Sequence, residues 1–150
     1  MTIRESPGSI FLLQLLGFGQ TSYRGIQLKA LLVVAHGSRR EASNEEVRDL
    51  AQRLARRQGE FEFVHSAFLE IAEPSIPAGL ERCIEQGARD IVVLPHFLAA
   101  GRHVIEDIPA EIESVKTSYP HVSIRITPHL GASDRMVDAM LDLAHSPVII

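Results

Sequence analysis

Tryptophan is absent from the 150-residue sequence, and aromatic residues make up only 5% of it. So few flat side chains argue against a platform that stacks nucleic-acid bases. Cysteine occurs once, at Cys83. One thiol closes no internal disulfide and anchors no cysteine-based zinc or iron–sulfur centre by itself, which suits a reducing, cytoplasmic setting. Positive charge is not in excess: the formal net charge is -4 and the pI about 6.0. General nucleic-acid binding therefore has no electrostatic footprint. Long apolar runs are lacking too. The nearest, Ile10 to Phe18, is broken by Gln14 and Gly17 and is too short to span a bilayer. Glu5 and Pro7 spoil the basic flank that Arg4 would give a secretory signal, and no small-x-small cleavage site follows cleanly. Residues 1–28 are expected to form a flexible N-terminal extension, and residues 29–150 a single domain.

Several catalytic signatures are also missing. Ala35 stands where histidine phosphatases carry Arg before their His-Gly pair. The sequence has no Gly-x-x-x-x-Gly-Lys-Ser/Thr loop, no Gly-x-Ser-x-Gly elbow around Ser38 and no His-Glu-x-x-His helix.

What is present is regular alternation. Apolar residues make up 45% and charged residues 23%, as in an average soluble domain. Ala30 to Ala35 is a continuous apolar run, which predicts a strand buried on both faces. Ser43-Asn44-Glu45-Glu46 has the form of a capping box, and Val47, Leu50, Ala51 and Leu54 follow at helical spacing up to Gln58-Gly59. Phe61 to Phe68 reads as a second strand. Pro74 fits the first turn of a helix whose stripe is Ile76, Leu80, Cys83 and Ile84, so Cys83 is read as a small core residue. Ile91 to Leu94 is a third strand. After a long connection, Asp107 caps a helix with Pro109 in its first turn and Ile108, Ile112 and Val115 inward. Val122 to Thr127 is a fourth strand. A last helix starts near Ser133, with Val137, Met140, Leu141 and Ala144 inward. Strands alternating with helices predict a three-layer α/β fold: a four-stranded parallel sheet with helices on both faces.

In open sheets of this kind ligands bind beyond the carboxyl ends of the strands. Four of the seven histidines fall there: His36 after the first strand, His96 and His103 after the third, His129 after the fourth. Glu70 follows the second. His65 lies inside a strand, His121 at the opposite edge and His145 near the C-terminus, and all three are read as structural or solvent-facing. Imidazoles with a carboxylate bind borderline divalent metals and exchange protons near neutral pH. Each histidine taken singly is better explained by a backbone hydrogen bond; the gathering of four favours function.

Two segments narrow the choice. Val34-Ala35-His36-Gly37-Ser38-Arg39, and the long run from Leu94-Pro95-His96-Phe97 through Gly101-Arg102-His103 to Asp107-Ile108-Pro109, resemble the signatures of the short CbiX/SirB-type sirohydrochlorin chelatases. Phe68-Leu69-Glu70 with Pro74, and Pro128-His129-Leu130-Gly131, are similar to two further family segments. The resemblance covers about Leu28 to Ala144 and leaves the N-terminal extension without a counterpart.

This resemblance implies an ATP-independent chelatase that inserts cobalt, ferrous iron or nickel into sirohydrochlorin, toward cobalamin, sirohaem or a nickel tetrapyrrole. It implies no permanently bound cofactor, because the divalent metal is a substrate. The family's two metal histidines fall on His36 and His103, with His36 also the candidate general base. Substrate contacts fall on Glu70 and on Phe97, Leu98, Ala99, Ala100, Gly101 and Arg102. Ser38 and Arg39 complete the expected substrate-binding set, and Arg39 and Arg102 would offset the substrate's carboxylates. Glu70 reads equally as a partner for a histidine or as a cap for the following helix. Whether His96 and His129 touch the metal stays open. A flat tetrapyrrole is large beside four strands, so a homodimer is expected, with no nucleic-acid or membrane partner. The main alternative is a non-catalytic metal or tetrapyrrole carrier on the same fold. A hydrolase built on a histidine–metal centre is a third reading.

Overall fold

The computed structural model describes residues 27–57 and 59–148. The expectation for residues 1–28 therefore falls almost wholly outside the described residues. The first strand, β1 (Lys29–Ala35), leads into α1 (Glu41–Arg56). Next come β2 (Phe63–Phe68), α2 (Ile76–Glu85) and β3 (Asp90–Pro95). A π-helical turn (His103–Asp107) runs directly into α3 (Ile108–Ser118). After β4 (Ser123–Ile126) and a short 3-10 turn (Leu130–Ala132), α4 (Asp134–Ala144) ends the described chain.

All strand pairs are parallel, in the order β2-β1-β3-β4. Parallel pairing brings every strand's carboxyl end to one edge. Alternate residues of β1 feed opposite faces. Leu32 and Val34 pack with Ile76, Leu80, Ile91, Val93, Ile108 and Ile112, under α2 and α3. Leu31 and Val33 pack with Ala51, Val47 and Leu54, under α1. The predicted three-layer architecture is the observed one. Each fully buried side chain of this size contributes about 1.5–3 kcal/mol by leaving water. Cys83 is buried, and that burial pushes its thiol up to about 11, as a core residue rather than a nucleophile requires.

Local chemistry departs from expectation at four places. The first helix starts at Glu41, so Ser43 lies inside it and makes no capping box; its N-cap, Arg40, offers no side-chain acceptor. Asn44 instead reaches back to the preceding loop. In the second unit Ser75 is the N-cap, and its Oγ accepts the Ala78 N–H at 3.4 Å. Pro77, not Pro74, sits in the first turn. Asp107 caps nothing, because α3 continues from the π-helical turn without a break. Finally, α4 buries none of its residues: Val137, Met140 and Leu141 are 57%, 63% and 53% exposed. The Gly131 N–H bonds to the Phe97 carbonyl at 2.9 Å, which ties the segment ahead of α4 to the loop after β3. Within the described residues α4 packs mainly on the 3-10 turn. An apolar stripe signals that a face suits burial, not that the covering surface lies in the same chain.

Candidate metal and tetrapyrrole site

His36 is the first residue past β1, and Glu70 lies two residues past β2. Backbone bonds carry the β1–β2 pairing beyond the sheet: the Leu69 N–H donates to Ala35 O at 2.9 Å and the Glu70 N–H to His36 O at 3.0 Å. Gly37 makes this approach possible. Its φ is +98°, and a Cβ there would lie 1.9 Å from the Glu70 carbonyl oxygen, so any side chain would push the two loops apart. The result is a Glu70 carboxylate oxygen 3.1 Å from His36 Nε2. Glu73, rather than Glu70, serves the next helix, its Oε2 accepting the Ser75 N–H at 3.0 Å.

The loop carrying His36 is held from α1. Asn44, 2% exposed, accepts the Ser38 N–H and donates to the Ser38 carbonyl, both at 2.9 Å. It also donates to Glu41. Arg48 bonds Glu41 and Glu45 and lies over the Phe68 ring at 5.2 Å. The Arg48 guanidinium, with the Asn44 amide, holds the Glu41 carboxyl below the usual carboxylate range. Sequence reasoning took Asn44 for part of a cap. Only the packing of α1 against the loop reveals its role.

His103 enters from the third loop, at the start of the π-helical turn, a geometry often found at functional sites. Its ring centroid is 4.9 Å from that of His36, with the rings edge to face at 84°. Both side chains are 43% exposed, so solvent or a ligand can reach them. His103 Nδ1 is 2.7 Å from Asp107 Oδ2. Asp107 was missed as a partner because the same residue also suits a helix start.

His36 sits between two acceptors: Nδ1 is 3.3 Å from Gly37 O and Nε2 faces Glu70. A neutral imidazole has one N–H. It can satisfy only one of those contacts, and the other sets lone pair against lone pair unless a proton or a metal cation lies between. Among the described residues no group of three or more His, Cys, Asp or Glu side chains is placed to hold a metal ion.

The other predicted residues divide. Gly131 holds the closing segment against the third loop; a Cβ there would strike the Leu98 carbonyl oxygen at 1.9 Å. Leu98, Ala99 and Ala100 are exposed, and Phe97 packs against the core. A Cβ at Gly101 would meet nothing within 4 Å, so no contact within the chain requires glycine there. Arg102 is exposed and pairs with Glu106 at 3.1 Å, a contact weak enough for another carboxylate to compete. Ser38 Oγ accepts the Arg40 N–H, and Arg39 is exposed. His96 makes no ring or hydrogen-bond contact with His36 or His103 among the described residues; with Ser43, Glu46, Val47 and Leu50 it lines a cavity of about 540 Å³ beside α1. Burial lowers its pKa. His129 precedes the 3-10 turn, and its carbonyl accepts the Ala132 N–H. His65 bonds Gln86, His121 lies edge to face with Tyr119 and His145 bonds the Leu141 carbonyl.

The CbiX family model matches residues 30–146. A chloroplastic sirohydrochlorin ferrochelatase of Arabidopsis thaliana is 35% identical over 75% of this chain and 49% of its own length. A sirohydrochlorin cobaltochelatase of Methanocaldococcus jannaschii is 33% identical over 78% of this chain and 98% of its own. Among solved structures, SirB from Bacillus subtilis with Fe3+ superposes with a TM-score of 0.71 at 32% identity, covering 81% of this chain and 48% of that one. The chain thus spans about half the length of the plant relative and of SirB, and nearly the whole of the archaeal one.

Proposed function

The chain belongs to the CbiX family, and from that premise we propose that it is a sirohydrochlorin chelatase. It inserts a divalent metal, cobalt in the first place with ferrous iron or nickel as alternatives, on the way to cobalamin or sirohaem. The observation that carries this reading is the meeting of His36 and His103 at one sheet edge, their ring centroids 4.9 Å apart, with the Glu70 carboxylate on His36.

Insertion exchanges two pyrrole N–H protons for one dication. The site must therefore hold a partly desolvated metal, leave coordination positions for ring nitrogens and take up protons. His36 and His103 hold the metal substrate. As ring nitrogens replace them, His36 is released to take one pyrrole proton as general base while Glu70 orients it, and the second proton passes to Glu70 or to solvent. Leu98, Ala99, Ala100 and Gly101 offer an exposed wall to the flat ring. Arg39 and Arg102 meet its carboxylates, Arg102 by exchanging Glu106 for substrate; Ser38 lies at the same loop. These local cations are what binds a polyanion to a chain of net charge -4.

The histidine pair lies at an open edge, so one subunit supplies one wall. A homodimer would supply the second. In support, the apolar face of α4 is uncovered within the described residues. Within those residues no helix is long and apolar enough to cross a membrane. With one buried thiol, the cytoplasm is the setting we assign.

The test mixes purified protein, sirohydrochlorin and each metal without oxygen, and follows both the tetrapyrrole absorbance and proton release. Faster metallation with protons released supports the enzyme. Metal or tetrapyrrole binding at the spontaneous insertion rate would make the chain a carrier instead.

A further inference from the structure

Asp107 stands four residues after His103, at the far end of the same π-helical turn. We propose that it is a positioning residue that fixes the tautomer of His103: its carboxylate accepts the Nδ1–H and leaves Nε2 as the nitrogen free to bind metal. This rests on reading His103 as a metal-holding residue.

Four observations carry it. The Oδ2 to Nδ1 distance is 2.7 Å, at the short end for a nitrogen donor and a carboxylate. An ionised carboxylate only accepts hydrogen bonds, so the proton of a neutral imidazole must sit on Nδ1. Among the described residues Asp107 has no other side-chain partner and makes no side-chain cap for α3, while the neighbouring Arg102 pairs with Glu106. Lastly, the π-helical turn, closed by the Ile108 N–H on the His103 carbonyl, contains both partners, so their alignment is set locally. His36 differs, since both its nitrogens face acceptors. The two histidines are thus unequal in their hydrogen bonding: His103 has one nitrogen held by a carboxylate, and His36 has an acceptor at each. A carboxylate behind a ligating imidazole also raises its basicity and its hold on the metal.

The test reads the His103 ring nitrogens by 15N NMR in the metal-free protein, at a pH well above the ordinary histidine range. The expected result is an Nδ1–H tautomer, opposite to the Nε2–H form that a free histidine prefers. Asp107→Ala should lose that preference, whereas Asp107→Asn, whose amide oxygen can still accept, should keep it. Cobalt(II) titration of the same samples should show a loss of roughly 10- to 100-fold in affinity for Asp107→Ala and a smaller loss for Asp107→Asn. A backbone amide spectrum that matches the wild type separates these effects from misfolding. An Nε2–H tautomer in the wild type, or one unchanged in Asp107→Ala, overturns the proposal. Failure of the wild type to bind cobalt would instead remove the chelatase reading and leave the tautomer to be judged by NMR alone.

Discussion

His96 and His36 each follow a strand, yet their surroundings give them different chemistry. His96 lies against α1, and burial favours its neutral form. In the unfolded chain it takes up a proton near the ordinary value of about 6.5. Below that pH the unfolded state binds more protons than the folded one, so stability falls with pH until the lowered folded pKa is passed. Urea unfolding of wild type and His96→Gln between pH 8 and pH 5 should show a steeper loss in the wild type. Equal slopes would mean that His96 titrates alike in both states. At this scale the sequence allowed a partial reading. Strand-end placement marked His36 and His103, because the ends of parallel strands must share an edge. The same rule also gathered His96 and His129, which the structure leaves outside ring or hydrogen-bond contact with that pair among the described residues. Position along the chain sets where a backbone emerges, not where its side chain turns.

The elements show the same division. Hydrophobic periodicity gave the four strands and the helices between them, since burial demands that spacing whatever the details. Helix starts were less legible. Ser43 and Asp107 each offered the chemistry of a cap, but an Asn or Asp side chain near a helix start can bond to several targets. In this chain Asn44 bonds the Ser38 backbone and Asp107 bonds His103. Asn44→Ala should therefore act on the site as well as on the fold. It leaves the Ser38 N–H and carbonyl without their partner and should cost about 1–3 kcal/mol in denaturant unfolding. Cobalt affinity, measured at a temperature where the variant stays folded, should fall as the His36 loop loosens. An unchanged affinity would show that the loop holds its shape without Asn44.

For the whole molecule, the face of α4 that is uncovered among the described residues is where the proposed homodimer can be tested. If a second copy covers that face, the wild type should sediment at twice the 16.6 kDa chain mass. A variant carrying both Val137→Glu and Met140→Glu should shift toward the monomer and lose tetrapyrrole affinity. A monomeric wild type would remove the dimer from the account. The account's central claim is that His36 and His103 together handle the metal substrate. Its most direct test is the anaerobic rate of cobalt insertion into sirohydrochlorin by His36→Ala and His103→Ala, each shown to be folded. Both should fall to the spontaneous rate; insertion at the wild-type rate by both variants would contradict it.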